Sequence, residues 1–195
     1  GCNDASHGYR VGGWNWSGSP PGYNFIERFP FATDGNAVDV GDLLLHGHGM
    51  NTSSTETHGY ATGAQVAPTT AVQKFAFASS ANAVDTTQDL ITFKDYAGAG
   101  TSDDYGFVMG GTRPSGSQSI DRYAFNSSAA MVDHGDLTTA YHSPAAASSL
   151  THAYVAGNAV SNSKAIQKVQ MSSAANATSV ADLFVTNGTS CGVFQ

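Results

Sequence analysis

The chain has 195 residues, with 8 Lys and Arg against 15 Asp and Glu, and a formal charge of −7. So few cations argue against nucleic-acid and anionic-membrane partners, and no apolar run reaches the roughly 18 residues of a membrane helix. Charged residues are only 12%, against a usual ~25%, and Gly numbers 22, which suits an all-β chain rich in turns better than a helical bundle.

Two motifs alternate along the chain. The first is His7-Gly-Tyr-Arg-Val-Gly-Gly13, a short strand ended by glycines. The second is Ile26-Glu-Arg-Phe-Pro-Phe31, in which aromatic residues alternate as in a half-buried strand. It leads to Asn36-Ala-Val-Asp39 and Asp42-Leu43, a third strand with a polar turn inside it.

The same pair returns as His58-Gly-Tyr-Ala-Thr-Gly63 with Val72-Gln-Lys-Phe-Ala-Phe77, Asn82-Ala-Val-Asp85 and Asp89-Leu90. It returns again as Tyr105-Gly-Phe-Val-Met-Gly-Gly111 with Ile120-Asp-Arg-Tyr-Ala-Phe125, Met131-Val-Asp133 and Asp136-Leu137. The fourth copy is His152-Ala-Tyr-Val-Ala-Gly157 with Ile166-Gln-Lys-Val-Gln-Met171, Asn176-Ala-Thr178 and Asp182-Leu183. The second motif starts 46, 48 and 46 residues apart. Between units lie small-residue stretches such as Pro144-Ala-Ala-Ala-Ser-Ser149, suited to a strand that lines a narrow axis. No segment keeps a helical apolar period.

Four short strands in about 47 residues make one propeller blade. The order of features resembles the kelch repeat, carried by Val11-Gly-Gly13, Val108-Met-Gly-Gly111, Tyr123 and the spacing. The Trp usual in kelch repeats is missing, and Val38, Val84 and Val132 sit nearby. The units also resemble uncharacterised repeats of aquatic phages and bacteria, which bring no established activity. The expected fold is therefore an all-β, kelch-like, four-bladed β-propeller. Its blades would span 1–43 plus 191–195, 44–90, 91–137 and 138–183.

In this arrangement residues near 191–195 supply the first strand of the first blade, pairing the two ends of the chain. The competing picture continues the blades into another copy. Cys2 and Cys191, at opposite ends, predict one disulfide and an oxidising compartment. A start at Gly1-Cys2 without Met is expected of a processed product.

Asp42, Asp89, Asp136 and Asp182 recur in every unit and are expected to bond backbone amides of a turn. His7, His58 and His152 share one position and are expected to bond a neighbouring blade. His48 and His142 share another, near Asp95; their ring would be incomplete, and no metal or other cofactor is expected. Trp14 and Trp16 flank Asn15 in a lengthened loop, a candidate binding face. Asn15, Asn51, Asn126, Asn176 and Asn187 are candidate glycosylation sites. Lys94-Asp95 and Asp103-Asp104 form the densest ionisable group and read as solvated loop.

No nucleophile elbow, phosphate loop or dinucleotide fingerprint occurs. These features point to a non-catalytic extracellular or virion-surface module, structural or adhesive, whose partners are copies of itself or a surface protein or glycan. A carbohydrate-binding propeller is the first alternative and a propeller-face enzyme the second.

Overall fold

The computed structural model describes residues 1–14, 16–17, 22–65, 69–111, 116–158 and 163–186. Blade 1 holds β1 (Cys2–Asn3), β2 (His7–Trp14), β3 (Gly22–Pro30) and β4 (Val38–Asp42). Blade 2 holds β5 (Asn51–Ser54), β6 (His58–Thr62), β7 (Ala71–Ala76) and β8 (Val84–Asp89). Blade 3 holds β9 (Gly98–Thr101), β10 (Tyr105–Met109), β11 (Ser117–Ala124) and β12 (Val132–Tyr141). Blade 4 holds β13 (Ala145–Ser148), β14 (His152–Ala156), β15 (Ala165–Gln170) and β16 (Thr178–Asp182).

Each blade is an antiparallel sheet with its strands in chain order, and together they make a four-bladed β-propeller. No helix occurs among the described residues. The outer strand of the third blade runs beyond the expected boundary at 137, to Tyr141.

The repeated glycine of the His-Gly-Tyr motif has a packing reason. Gly8 pairs with Phe29, Gly59 with Phe75 and Gly106 with Tyr123 on the neighbouring strand. In all three the aromatic ring lies over the glycine, where a methyl group would overlap it. Blade 4 carries Ala153 opposite Val169, so a methyl gained on one strand meets a ring lost on the next.

The Asp-x-Gly-Asp turn also has a reason. The third and fourth strands of each blade shift register at one repeat position, after Ile26, Ile120 and Ile166 and between Ala71 and Gln73. Such bulges bend and twist a strand. The outer strand meets this with Gly41 at φ 153° and Gly135 at φ 138°, backbone that side chains rarely adopt. Asp39 accepts a hydrogen bond from the Gly41 amide, Asp85 from Thr87 and Asp133 from Gly135. The side-chain bond to a turn amide expected of Asp42, Asp89, Asp136 and Asp182 is not found among the described residues; the bonded amides lie in the outer-strand bulge and are held by the earlier aspartates. Asp89 instead accepts the Thr70 hydroxyl at 2.7 Å.

The core lies between blades rather than inside them. Tyr9, Ile26, Val40 and Leu43 on the exit face of blade 1 pack against Ala61, Phe75, Phe77 and Ala83 on the entry face of blade 2. Tyr60, Val72 and Leu90 repeat this against Val108, Tyr123 and Met131 of blade 3. Phe107, Ile120 and Leu137 repeat it against Val155, Val169 and Met171 of blade 4. No buried cluster among the described residues joins blade 4 to blade 1.

The innermost strand of the first blade is Cys2–Asn3, paired with Gly8 and Tyr9. Residues 191–195, expected in that place, lie outside the described residues, as does Cys191. Cys2 is a buried free thiol.

Candidate functional site

The four turns that follow the innermost strands converge on one end of the axis. Each is closed by a short polar side chain. Asp4, Thr55, Ser102 and Ser149 accept the amides of His7, His58, Tyr105 and His152 at 2.7, 3.1, 3.2 and 3.2 Å. The sequence signal, a short acceptor three residues before the His or Tyr, is present in every unit outside the two repeated motifs. Burial alone would raise the Asp4 carboxyl. The bonds it accepts from Ser6, Tyr9 and His7 outweigh that and hold its pKa at about 2.

Inside this ring of turns is a cavity of about 900 Å³. Its walls carry the carboxylates of Asp4, Glu56 and Asp103 beside the hydroxyls of Thr55, Ser102 and Ser149. Among the described residues the three repeated histidines make no hydrogen bond to another blade. His7, His58 and His152 bond the hydroxyls of their own neighbours Ser6, Thr57 and Thr151 through Nδ1, at 2.8, 2.9 and 2.9 Å. Their place is in the turn that shapes this mouth.

The opposite mouth is aromatic. The Trp14 ring stands edge-on to His48 at 4.1 Å and to Trp16 at 5.7 Å. His48 continues to Tyr96 at 5.9 Å, and Tyr96 to His142 at 6.2 Å. The loops entering β5, β9 and β13 are tied in series, the Tyr96 amide donating to Gly49 and the Ser143 amide to Tyr96. The structure therefore joins the Trp14–Trp16 pair to the His48–His142 pair, two features that are unrelated in the sequence. Trp16 is 91% exposed. His48 Nε2 bonds Gln65 Oε1.

Lys94 and Asp95 are not solvated. Both are buried, and Lys94 Nζ meets Asp121 Oδ1 at 2.7 Å across the interface between blades 2 and 3. Burial pushes the Lys94 ammonium pKa down and the Asp121 carboxyl pKa up. Asp103 lies at the other mouth, so the four residues form no single cluster. The ion pair with Asp121 accounts for the burial of Lys94.

Of the candidate glycosylation sites, Asn51 is buried, with its amide bonded to Lys94 O and its carbonyl to the Ala97 amide. Asn126 and Asn176 are exposed, and Asn176 Oδ1 also accepts the Asp136 amide at 3.0 Å. Asn15 and Asn187 lie outside the described residues.

The two end faces of the blade array complete the picture. Phe29 and Phe31 on blade 1 are 42% and 54% exposed, whereas their repeat equivalents Phe75 and Phe77 are 3% and 6% exposed. On blade 4, Val180, Phe184 and Val185 are exposed. The chain matches no known protein family and none of the curated proteins.

Proposed function

We propose that this propeller is a non-catalytic structural and adhesion module of an extracellular or virion surface. It works by association with copies of itself or with a surface protein or glycan. The observation that carries this reading is the apolar surface that the described residues expose on the two end faces. Repeat arrays stay soluble when their terminal units present polar outer surfaces. Here the first and last blades instead expose Phe29, Phe31, Val180 and Phe184, and contiguous apolar surface of this kind marks interaction sites. The weak charge and the kelch-like order of the repeats, with their resemblance to repeats of aquatic phages and bacteria, fit a surface building block. Glycosylation at Asn126 belongs to the same reading.

Sedimentation velocity over a hundredfold range of concentration tests it. Association that grows with concentration, or capture by a surface partner, is expected. A chain that stays monomeric throughout and binds neither protein nor glycan would contradict it.

The aromatic mouth favours a second reading, carbohydrate binding. Exposed Trp presents a flat apolar face with a polar N–H, the combination that suits a sugar ring. Glycan-array binding that is lost in Trp16→Ala, with the thermal midpoint unchanged, is the outcome this reading requires.

A further inference from the structure

The three interblade interfaces share a polar code as well as an apolar one. At each, the amide that follows the Leu of the outer strand donates to the side chain next to the central Ile or Val of the following blade. Leu44 N donates to Gln73 Oε1 at 2.6 Å, and Thr138 N to Gln167 Oε1 at 2.7 Å. Ile91 N donates to Asp121 in the same way. At two interfaces an Asn of the following blade clasps the Asp of the outer strand. Asn82 Oδ1 accepts from Asp42 N and Asn176 Oδ1 from Asp136 N, both at 3.0 Å. The Ala83 and Ala177 amides donate back to Asp42 O and Asp136 O, both at 2.8 Å. The Tyr9 and Tyr60 hydroxyls reach Phe77 O and Phe125 O at 3.4 Å.

Every acceptor of this code recurs on the entry face of blade 1. Glu27, which accepts from Arg10 Nη1 through Oε2, stands at the position of Gln73, Asn36 at that of Asn82, and Phe31 O at that of Phe77 O. Every donor recurs on the exit face of blade 4, as Phe184 N, Asp182 N and the Tyr154 hydroxyl. The apolar positions recur too, with Phe29 and Phe31 on one side and Ile166, Val180 and Leu183 on the other. Two positions depart. On the entry face Arg10, paired with Glu27, stands where the internal interfaces bury Ala61, Val108 and Val155. Ala181 stands where two internal interfaces have Gly41 and Gly135, so the contact there is wider than inside the chain.

We infer that the exit face of blade 4 docks on the entry face of blade 1 of a second copy, head to tail, as a fourth instance of the interblade interface. This rests on the reading of the protein as an assembling module and names the surface and the partner. The contact is heterologous, so it propagates into a closed ring of copies or a filament rather than stopping at a symmetric dimer.

Two variants test it, each with a charge at an exposed position that the fold does not bury. Phe31→Glu blocks the entry face and Val180→Glu the exit face. Circular dichroism and the thermal midpoint check that both fold. In sedimentation velocity, the wild type is expected to associate and each variant alone to stay monomeric. An equimolar mixture should form one-to-one dimers and nothing larger, because only one competent face remains on each. Asn36→Ala, which removes a single hydrogen bond, should weaken wild-type association about 3- to 10-fold.

Association of either variant alone at the wild-type level overturns the head-to-tail contact but keeps the assembling reading, with another surface responsible. Monomeric variants that do not combine in the mixture also overturn it. A wild type that stays monomeric overturns the contact and self-assembly together, leaving only partner binding.

Discussion

Gly59 lies under the ring of Phe75, its partner across the β6–β7 pair, and a methyl group there would overlap that ring. The pair Ala153 and Val169 shows how the repeat accommodates the opposite choice. Gly59→Ala should therefore cost about 1–3 kcal/mol through overpacking. Phe75→Val should cost a similar amount through the space it leaves. The double variant should lose less than the sum, because the two positions share one volume. Urea unfolding of the four proteins measures this, and strict additivity would contradict it.

Lys94 and Asp121 form a fully buried ion pair at an interface whose counterparts use Gln73 and Gln167. Lys94→Met alone leaves a buried carboxylate without its cation and should cost about 3–5 kcal/mol. Adding Asp121→Gln supplies the residue type found in blades 2 and 4 and should recover much of that loss. A double variant no more stable than Lys94→Met would show that the charge is not the source of the cost.

Asp4 contributes a pH dependence of known sign. Its carboxyl is held at about 2 in the folded protein, below the usual 3.8, so the folded state favours the carboxylate. The stability this supplies is present above about pH 4 and is lost as the pH falls through 2. Asp4→Ala should flatten the acid limb of the stability curve relative to the wild type. Parallel acid limbs would contradict the assignment.

Burial pushes the Cys2 thiol up to about 12, so it is protonated at neutral pH. Iodoacetamide should label it slowly in the folded protein and rapidly in denaturant. Fast labelling of the folded protein would place Cys2 at the surface instead.

The blades were legible because each strand type recurs four times at a fixed spacing, and because glycine, aromatic and small-residue runs have local conformational meaning. The first strand of blade 1 was not, since Cys2–Asn3 is only a two-residue pairing whose partner, Gly8–Tyr9, defines it. Lys94 and Asp95 read as solvent-facing because charge is normally exposed. The partners Asp121 and Ser119 O, which lie on the next blade, make burial of Lys94 tolerable. His7, His58 and His152 share one repeat position, yet their bonds run to the preceding hydroxyl, a contact that any His next to Ser or Thr can make. Trp14 and Trp16 were visible as a loop pair, while His48 and Tyr96 beside them come from loops of other blades.

The account rests on three interfaces sealed by buried clusters and on a fourth, between blades 4 and 1, where the described residues form none, and side-chain footprinting by hydroxyl radicals tests that most directly. At low concentration, Phe29 and Phe31 should oxidise readily while Phe75 and Phe77 stay protected, and the first pair should become protected as concentration rises. Equal protection of all four at the lowest concentration would contradict the account, because the fourth interface would then be closed within a single chain.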